Sequence, residues 1–597
     1  MLLCPFVAFT QSLEDLENVD LSKLKGQLKE RLTEYKEKTP LEISGGVALN
    51  TVATALTQGE NSQPISFVAS GNVLFTIKGY KLPFSFTYSN WKFAKTNPSF
   101  RFNKFSFQPK LKNTGLLIGD ASMSFSPYTL NGFQFTGAGI EQTPGKFKIQ
   151  AMAGRFMKAV AEDTSNQITP SFKRLGAGVK VGYSNKNRKL GFAAFYAKDD
   201  KLSIPIPTNI FYEQIRPKEN LALSIEAGLP LAKQLTWEGE IAASVLTENT
   251  LSNETQNMVK NPLTQLLKNR NTTTKVYPAM KSNINYIIGQ EGMIGVGYER
   301  VAPDYRTLGG YYFTNDFENI TVNAQHRGKV NMGLSTGIQY DNLNNQKASN
   351  SGRMVISTNT AFKVSEAMAL TMNYSNFQSF TFVRTGFERI NRINPYDNLD
   401  TLNFTLLTQN AMIAMNYNFK QDSSKARTFN MNVNFMESSS QRSGLTLATP
   451  QLNNGSKFIN GGMNYSVAQL SKNLTIMGGL NLSYNYGGIS NTVTAGPVVA
   501  VSKMLFDKTV TTNGAFAYNI SRTVDVSQHI VTLNIGASTC LDKKHNITVN
   551  LLGQQRMGNT TKPALMFTGS VGYNYSFGYK VKKLPFSKET KVMMNDE

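Results

Sequence analysis

Long hydrophobic runs are missing from this chain of 597 residues, although 40% of its residues are hydrophobic. No stretch of 18 or more residues is continuously apolar, which excludes a transmembrane helix. Cysteine is almost absent: the chain has two, Cys4 and Cys540. If Cys4 is lost with an N-terminal signal, no internal disulfide can form. We predict that Cys540, at a strand end, is a small buried hydrophobic residue.

Residues that carry chemistry are also scarce. The chain has three histidines, and its charged fraction of 17% is below the ~25% typical of soluble domains. No Cys and His spacing indicates zinc, no Asp-rich loop indicates calcium, and no glycine-rich loop indicates phosphate binding. The sequence therefore indicates no metal and no cofactor. Asp525, Ser527 and His529 are residue types found in hydrolases, but they share one side of a predicted strand and cannot form a triad by spacing alone.

The chain is instead rich in alternation of apolar and polar residues. The last predicted strand shows it most clearly, with these apolar residues on one face: Leu565, Phe567, Val571, Tyr573, Tyr575 and Phe577. Its other face carries Met566, Thr568, Ser570, Gly572, Asn574 and Ser576. Successive side chains of a strand point to opposite faces, so this strand has one apolar and one mainly polar side. The same unit recurs from about Leu41 to Phe577. It predicts an all-β fold, a transmembrane antiparallel up-and-down β-barrel with lipid outside and a polar lumen inside.

The connections between the predicted strands alternate in length. Tight turns, such as 231–234 and 541–545, alternate with long polar loops, such as 200–220, 248–276, 302–316 and 376–401. Membrane barrels have short turns on the periplasmic rim and long loops on the outer rim. The pattern predicts about 22 strands, within a range of about 20 to 26.

Four segments are predicted along the chain. Residues 1–10 are interpreted as the remnant of a secretory signal peptide, because they are apolar and end in a small-x-small pattern. Residues 11–40 are predicted to form a short N-terminal helix, with a partly disordered leader as the alternative. Residues 41–577 form the predicted barrel, and residues 578–597 a polar periplasmic tail.

Over nearly its whole length the chain resembles large outer-membrane β-barrel proteins of Gram-negative bacteria. Two stretches carry a more particular resemblance to segments of large uncharacterised barrels: Lys81-LPFSFTYSN-Trp91 and Gly119-DASMSFSPYTLNGFQFTGAGIE-Gln142. The resemblance implies a location in the cell outer membrane and assigns no activity. The chain departs from energised transporters, because it has neither a separate plug domain nor a convincing coupling box ahead of the barrel.

The chain is strongly basic, with a net charge of +22. It has no long basic run and no basic helix with base-reading residues, so nucleic acid is not an expected partner. The expected partners are outer-membrane lipids and lipopolysaccharide, whose phosphates attract such charge, and other outer-membrane or periplasmic proteins. Inside a lumen the same charge would favour anionic solutes.

Three functional hypotheses follow. The first is a pore or transporter for solutes, with a preference for anions. Its candidate lumen constriction consists of Arg384, Arg389 and Arg392. These arginines lie in a loop that could fold inward or stay on the surface. The second is a non-conducting barrel subunit of a secretion or assembly complex. The third, a minor one, is an outer-membrane hydrolase that would use His529. The first two are not enzymes, and we predict that this protein is not one.

Overall fold

The structure of the protein is a computed structural model. It describes residues 41–581 apart from 58–63, 78–79, 91–103, 112, 163–169, 186–187, 209–211, 213, 256–260, 311–314, 329, 342, 345–351, 377, 380–405, 423, 441–454, 488–490, 524–525 and 559–562. The predicted N-terminal helix at 11–40 lies outside the described residues, as does most of the predicted tail at 578–597.

One continuous antiparallel sheet contains every strand of the described residues. Its strands are β1 Leu41–Leu56, β2 Ile65–Ile77, β3 Tyr80–Ser89, β4 Lys104–Phe107, β5 Lys110–Leu111, β6 Thr114–Ser124, β7 Asn131–Gln142, β8 Phe147–Met157, β9 Lys173–Asn185, β10 Arg188–Asp200, β11 Glu219–Pro230, β12 Leu235–Thr247, β13 Thr274–Ile288, β14 Gly292–Val301, β15 Phe317–His326, β16 Val330–Asp341, β17 Gly352–Lys363, β18 Met368–Ser375, β19 Gln378–Ser379, β20 Leu406–Asn418, β21 Lys425–Ser440, β22 Gly455–Gln469, β23 Leu474–Tyr486, β24 Asn491–Leu505, β25 Val510–Thr523, β26 Val526–Leu541, β27 His545–Gly558 and β28 Ala564–Val581.

The sheet closes on itself to form a barrel. β1 pairs with β28 along its whole length, with Leu41 opposite Val581 at one end and Leu56 opposite Met566 at the other. The first and last strands of the described sheet therefore have no open edge. β4 and β5 share one register against β3 and are one interrupted strand, and β18 and β19 likewise share one register against β20. The described residues therefore build a barrel of 26 strands.

The predicted number of about 22 strands was therefore too low, and 26 is the upper end of the predicted range. The strands from Thr114 onward match the prediction, and the difference lies in residues 41–111, which supply four strands. The fourth is difficult to see in the sequence because Gln108 and Pro109 interrupt it. Proline lacks the N–H that a ladder needs, so alternation is lost there.

The two faces of the wall differ as predicted. On β23, Leu480 and Leu482 are 52% and 51% exposed and point outward, while Asn481 between them points into the lumen. On β28, Phe567 is 54% exposed and Val571 50% exposed. Large apolar side chains on the outside of a closed barrel are stable only against lipid tails.

The two rims also differ as predicted. Tight turns such as 231–234, 289–291 and 542–544 lie on the rim where β1 begins and β28 ends, which we call the turn rim. Longer connections, including 201–218, 248–273 and 302–316, lie on the opposite loop rim. Aromatic rings stack along the turn rim, with Tyr575 and Phe577 centroids 5.7 Å apart and Phe577 and Tyr579 centroids 6.1 Å apart. Such a girdle is typical of the bilayer–water boundary.

The described residues contain two short 3-10 helices, Pro262–Leu266 and Leu470–Lys472. Within this part of the chain, no helix is long and apolar enough to cross a membrane. The prediction that Cys540 is buried was wrong, because this thiol is exposed. It lies on β26 beside the turn rim, where the wide barrel leaves inner-face residues in contact with water.

Candidate functional site in the barrel lumen

A hairpin folds into the lumen on one side of the barrel. It comprises residues 120–136, the loop-rim halves of β6 and β7 with the loop between them, and we call it the lumenal hairpin. The Tyr128 hydroxyl at its tip donates a hydrogen bond of 2.6 Å to Glu299 Oε1. Glu299 is on β14, seven strands beyond β7. Seven strand spacings are about 34 Å along the wall, so this contact crosses the interior.

The hairpin packs against the inner wall through its apolar face. Phe135 stacks on Phe156 with centroids 5.7 Å apart, and Phe156 meets Phe195 edge-on at 5.3 Å. Tyr128 is 2% exposed and Phe195 is fully buried. The Lys180 ammonium donates a hydrogen bond of 2.6 Å to the Phe125 carbonyl. This aromatic cluster fills the lumen on the side of β6–β14. A wide barrel would otherwise be open there.

A second segment covers the hairpin tip. Residues 302–310, between β14 and β15, form the covering loop. The Tyr305 hydroxyl donates to the Tyr128 carbonyl at 2.7 Å, and the Thr307 hydroxyl donates to the Thr129 carbonyl at 2.7 Å. The Leu308 amide donates to Asn220 Oδ1 on β11 at 3.0 Å. The hairpin and the covering loop therefore hold each other in place.

The two tyrosine hydroxyls remain neutral donors over the physiological range. Burial raises the pKa of Tyr128 far above its ordinary value, and the nearby Glu299 carboxylate raises it further. Burial also raises the pKa of Tyr305, with a smaller contribution from the charge of Glu240. A neutral phenol can donate its proton to Glu299 or to a carbonyl, whereas a phenolate cannot.

The long loops of the same sector are anchored by buried carboxylates. Glu219 is fully buried. Its carboxylate accepts hydrogen bonds from the Tyr196 hydroxyl at 2.6 Å and from the backbone N–H of Asn269 at 2.9 Å. Asp199 accepts two hydrogen bonds from the Arg174 guanidinium, at 2.7 and 3.0 Å. Buried charges paired in this way are costly to disrupt, so this part of the loop rim is rigid.

Most charges on this part of the inner wall are paired. Lys180 lies 2.7 Å from Glu226, as measured between Nζ and Oε1. Further ion pairs join Lys148 to Glu141 at 2.9 Å and Lys189 to Glu238 at 3.2 Å. The described wall therefore shows no concentration of free positive charge in the lumen, although the whole chain carries +22.

The opposite part of the lumen is lined by uncharged amides and hydroxyls. A cavity of about 730 Å³ extends along β17–β25. Its polar lining includes Asn359, Asn373, Asn410, Asn432, Asn434, Asn460, Asn481, Ser483, Thr494 and Asn519. Within the described residues, the Asn432 and Asn434 side chains make no hydrogen bond with other side chains. These amides can therefore bind water or a passing solute.

Glycines lie between these amides at the same depth. Asn432, Gly462 and Asn481 are directly opposite one another on β21, β22 and β23. A Cβ at Gly462 would lie 3.2 Å from Asn432 Oδ1 and 3.4 Å from Asn481 Oδ1. The same arrangement recurs at Gly536 between Asn513 and Asn550. Amides that lean over glycines make the wall smooth and hydrated rather than deeply pocketed.

Of the site residues predicted from the sequence, the structure describes only some. Arg384, Arg389 and Arg392 lie outside the described residues, as does Asp525. His529 is on the outer face of β26, and its Nδ1 lies 2.7 Å from the Tyr518 hydroxyl. In the described part of the chain, no group of three or more His, Cys, Asp or Glu residues could hold a metal ion.

The sequence did not identify Tyr128 and Glu299 as partners. The segment 119–142 stood out, and it contains the lumenal hairpin, but its inward fold was not predicted. A signal is present in retrospect: Glu226, Glu240 and Glu299 all occupy lumen-facing positions of otherwise alternating strands. Inner-face carboxylates of this kind require donors, and the hairpin supplies one to Glu299.

These observations decide what kind of membrane protein this is. A closed barrel with apolar residues outside, polar residues inside and unequal rims is the architecture of the bacterial outer membrane. The protein is an outer-membrane β-barrel. No protein-family model and no curated protein matches the chain.

Solved structures with a similar barrel include the P pilus usher PapC translocation pore, at 11% identity and a TM-score of 0.37, covering 90% of this chain and 100% of that one. The FrpB iron transporter of Neisseria meningitidis matches at 10% identity and a TM-score of 0.35, covering 89% of this chain and 82% of that one. OccAB4 of Acinetobacter baumannii matches at 8% identity and a TM-score of 0.29, covering 91% and 100%. The likeness lies in the barrel architecture alone and does not extend to the cargo or partners of those proteins.

Proposed function

We propose that this outer-membrane barrel passes hydrophilic solutes through its lumen, and that the lumenal hairpin and the covering loop form its constriction. The observation that carries the proposal is the hydrogen bond from Tyr128 to Glu299, which joins the hairpin tip to the wall at β14, seven strands beyond β7. It holds an ordered obstruction on one side of a lumen whose other side is polar and uncharged. A barrel with a purely structural role would have no need of a smooth hydrated wall.

Planar-bilayer recordings test this proposal with the variant Glu299→Ala. Removing the carboxylate leaves the buried Tyr128 hydroxyl without its acceptor, at a cost of about 1–3 kcal/mol. We expect the hairpin to be released more often, so that the open probability rises about tenfold. The matched control is Glu318→Ala, which removes an outer-face carboxylate that pairs with Arg300 at 3.2 Å. The control should conduct like the unmodified protein.

The alternative is a non-conducting subunit of a secretion or assembly complex, with other outer-membrane or periplasmic proteins as partners. Silence of both the unmodified protein and Glu299→Ala would contradict the pore and favour this alternative. Constant co-purification of a second protein from detergent extracts would support it further. A hydrolase is the least supported function, because His529 faces outward beside Tyr518.

Anion preference is a finer proposal, and it depends on parts of the chain beyond the described wall. The described lumenal charges are mostly paired, so the wall by itself favours weak charge selectivity. Recordings in a salt gradient separate the cases. A reversal potential near zero would match the described wall, whereas a clear anion potential would indicate that Arg384, Arg389 and Arg392 contribute to the constriction.

A further inference from the structure

A small cavity lies behind the lumenal hairpin, and Ala121, Phe135 and Phe156 of the buried cluster form part of its lining. Its volume is about 280 Å³. One wall consists of Ser85, Thr87, Lys104, Ser106 and Gln108, which belong to the lumen-facing side of β3–β5. The other wall includes Asp120, Ser122, Gln134, Thr136 and Arg155 of β6–β8.

The residues of this second wall lie on the face of the sheet that alternation assigns to lipid. By strand alternation, Asp120 and Thr136 lie on the same side as Ile118 and Ala138, the side that faces lipid lower on the barrel. Ala121 and Phe135, on the opposite side, belong to the buried cluster. The lumen-facing side of β3–β5 therefore lies over the lipid-facing side of β6–β8. We call this overlap the seam.

Local backbone geometry explains the seam. Gly119 has φ +97°, and a Cβ there would lie 2.2 Å from the Phe105 carbonyl oxygen, so only glycine allows the turn inward. Within the described residues, β4 and β5 meet β6 only at four residue pairs: Ser106–Gly119, Phe107–Ile118, Lys110–Gly115 and Leu111–Thr114. Above Gly119 the two parts of the wall separate, and the cavity fills the gap.

The cavity contains an arginine without a carboxylate partner. Among the described residues, Arg155 makes no ion pair, and its Nε is buried without a hydrogen-bond acceptor. Asp120 is already engaged, because it accepts hydrogen bonds from the Thr136 hydroxyl at 2.6 Å and from the Phe105 amide at 3.1 Å. Lys104 adds a second cation to the lining. The cavity is therefore suited to an anion that accepts several hydrogen bonds.

We propose that the seam binds the phosphate head group of an outer-leaflet lipid with a net negative charge, with Arg155 as its main ligand. The seam lies at the loop rim, which is the external side of such barrels. Tyr88 and Phe105, on the lipid-facing side beside it, are 49% and 53% exposed. The volume equals that of about nine waters, enough for a head group and too small for a whole lipid. The acyl chains would stay in the bilayer against these rings.

Photolabelling tests the proposal without relying on conductance, so its failure is separate from failure of the pore. The barrel is reconstituted in phosphatidylcholine vesicles that contain phosphatidylglycerol with a photoactivatable head group. Labelled peptides are then mapped by mass spectrometry. We expect labelling of β3–β5 and β6–β8, and about tenfold weaker labelling in Arg155→Gln, since a charge-assisted hydrogen bond is lost.

Three further variants make the result specific. Arg155→Lys keeps the charge and should retain most of the labelling. Ser85→Leu fills the cavity from the opposite wall and should reduce labelling, which also covers the case that Arg155→Gln does not fold. Arg300→Gln removes a loop-rim arginine that is already paired with Glu318, and should change nothing. Heat-dependent gel migration checks that each barrel is folded.

Several outcomes would overturn the proposal. These are labelling spread evenly around the barrel, equal labelling by a phosphatidylcholine probe, or no change in both Arg155→Gln and Ser85→Leu. Complete displacement of the lipid label by excess inorganic phosphate would show a site for a soluble anion, and would overturn the lipid assignment.

Discussion

Single residues decide whether the lumen is obstructed. Tyr128, Glu299 and Tyr305 form a chain of hydrogen bonds between the hairpin tip, β14 and the covering loop, and each donor is a phenol shielded from water. A buried hydroxyl without an acceptor costs more than a good hydrogen bond contributes. The obstruction is therefore sensitive to the protonation of two tyrosines.

The pH dependence of the obstruction has a definite sign. The pKa of Tyr128 is raised in the packed state above its ordinary value of 10.0, and that of Tyr305 is raised in the same direction. Their anchoring is complete below about pH 10, and it weakens as pH rises above that value, because the released state then loses its protons first. We expect the open probability in bilayers to increase above pH 10.

Phenylalanine variants separate this effect from other titrations. The double variant Tyr128→Phe and Tyr305→Phe cannot donate either hydrogen bond, so it should open readily and show little change above pH 10. Tyr286→Phe is the control, because that hydroxyl is exposed and bonds to Gln234 at the turn rim at 2.9 Å. A steep alkaline response that persists in the double variant would rule out the tyrosines as its cause.

At the scale of elements, the β6–β7 hairpin departs most from a regular barrel. Its lower half is part of the wall and its upper half lies inside the lumen, with Gly119 at the transition. Regular alternation continues through the bend in the sequence, so alternation alone places Asp120 and Arg155 outside. The bend places them in the seam cavity instead.

Gly119→Ala should therefore damage the element. The substitution combines an unfavourable φ with a clash against the Phe105 carbonyl, and we expect a loss of about 1–3 kcal/mol of stability. Urea unfolding in detergent, followed by gel migration, measures it. Gly478→Ala is the matched control, since a Cβ there would have no neighbour within 4 Å. Equal stability of the two variants would show that the bend does not require glycine.

At the scale of the whole molecule, the barrel depends on which face meets lipid. Adjacent residues of β23 test this directly, because Leu480 points outward and Asn481 points into the lumen. Leu480→Arg should cost about 2–4 kcal/mol near the bilayer midplane, and Asn481→Arg much less. Folding yields into lipid vesicles measure the difference. A larger loss in Asn481→Arg would contradict the assignment of the faces.

Much of this architecture could be predicted from the chain itself. A strand has a period of two, so the apolar residues from Leu565 to Phe577 must share a face wherever the strand lies. Loop lengths are equally local, and they correctly separated a rim of tight turns from a rim of long loops. The early strands were harder, because Gln108 and Pro109 interrupt the alternation of β4 and β5.

The sequence alone determined that this protein is a barrel with a lipid-facing outside and a polar lumen, because those properties depend on neighbours two residues apart. Only the tertiary structure decided what occupies the lumen. Tyr128 and Glu299 are 171 residues apart in the chain, and no local pattern encodes a contact across a closed ring. The same holds for the seam, where the chain turns inward at Gly119 and Arg155, on the side that alternation assigns to lipid, lines a cavity behind the hairpin.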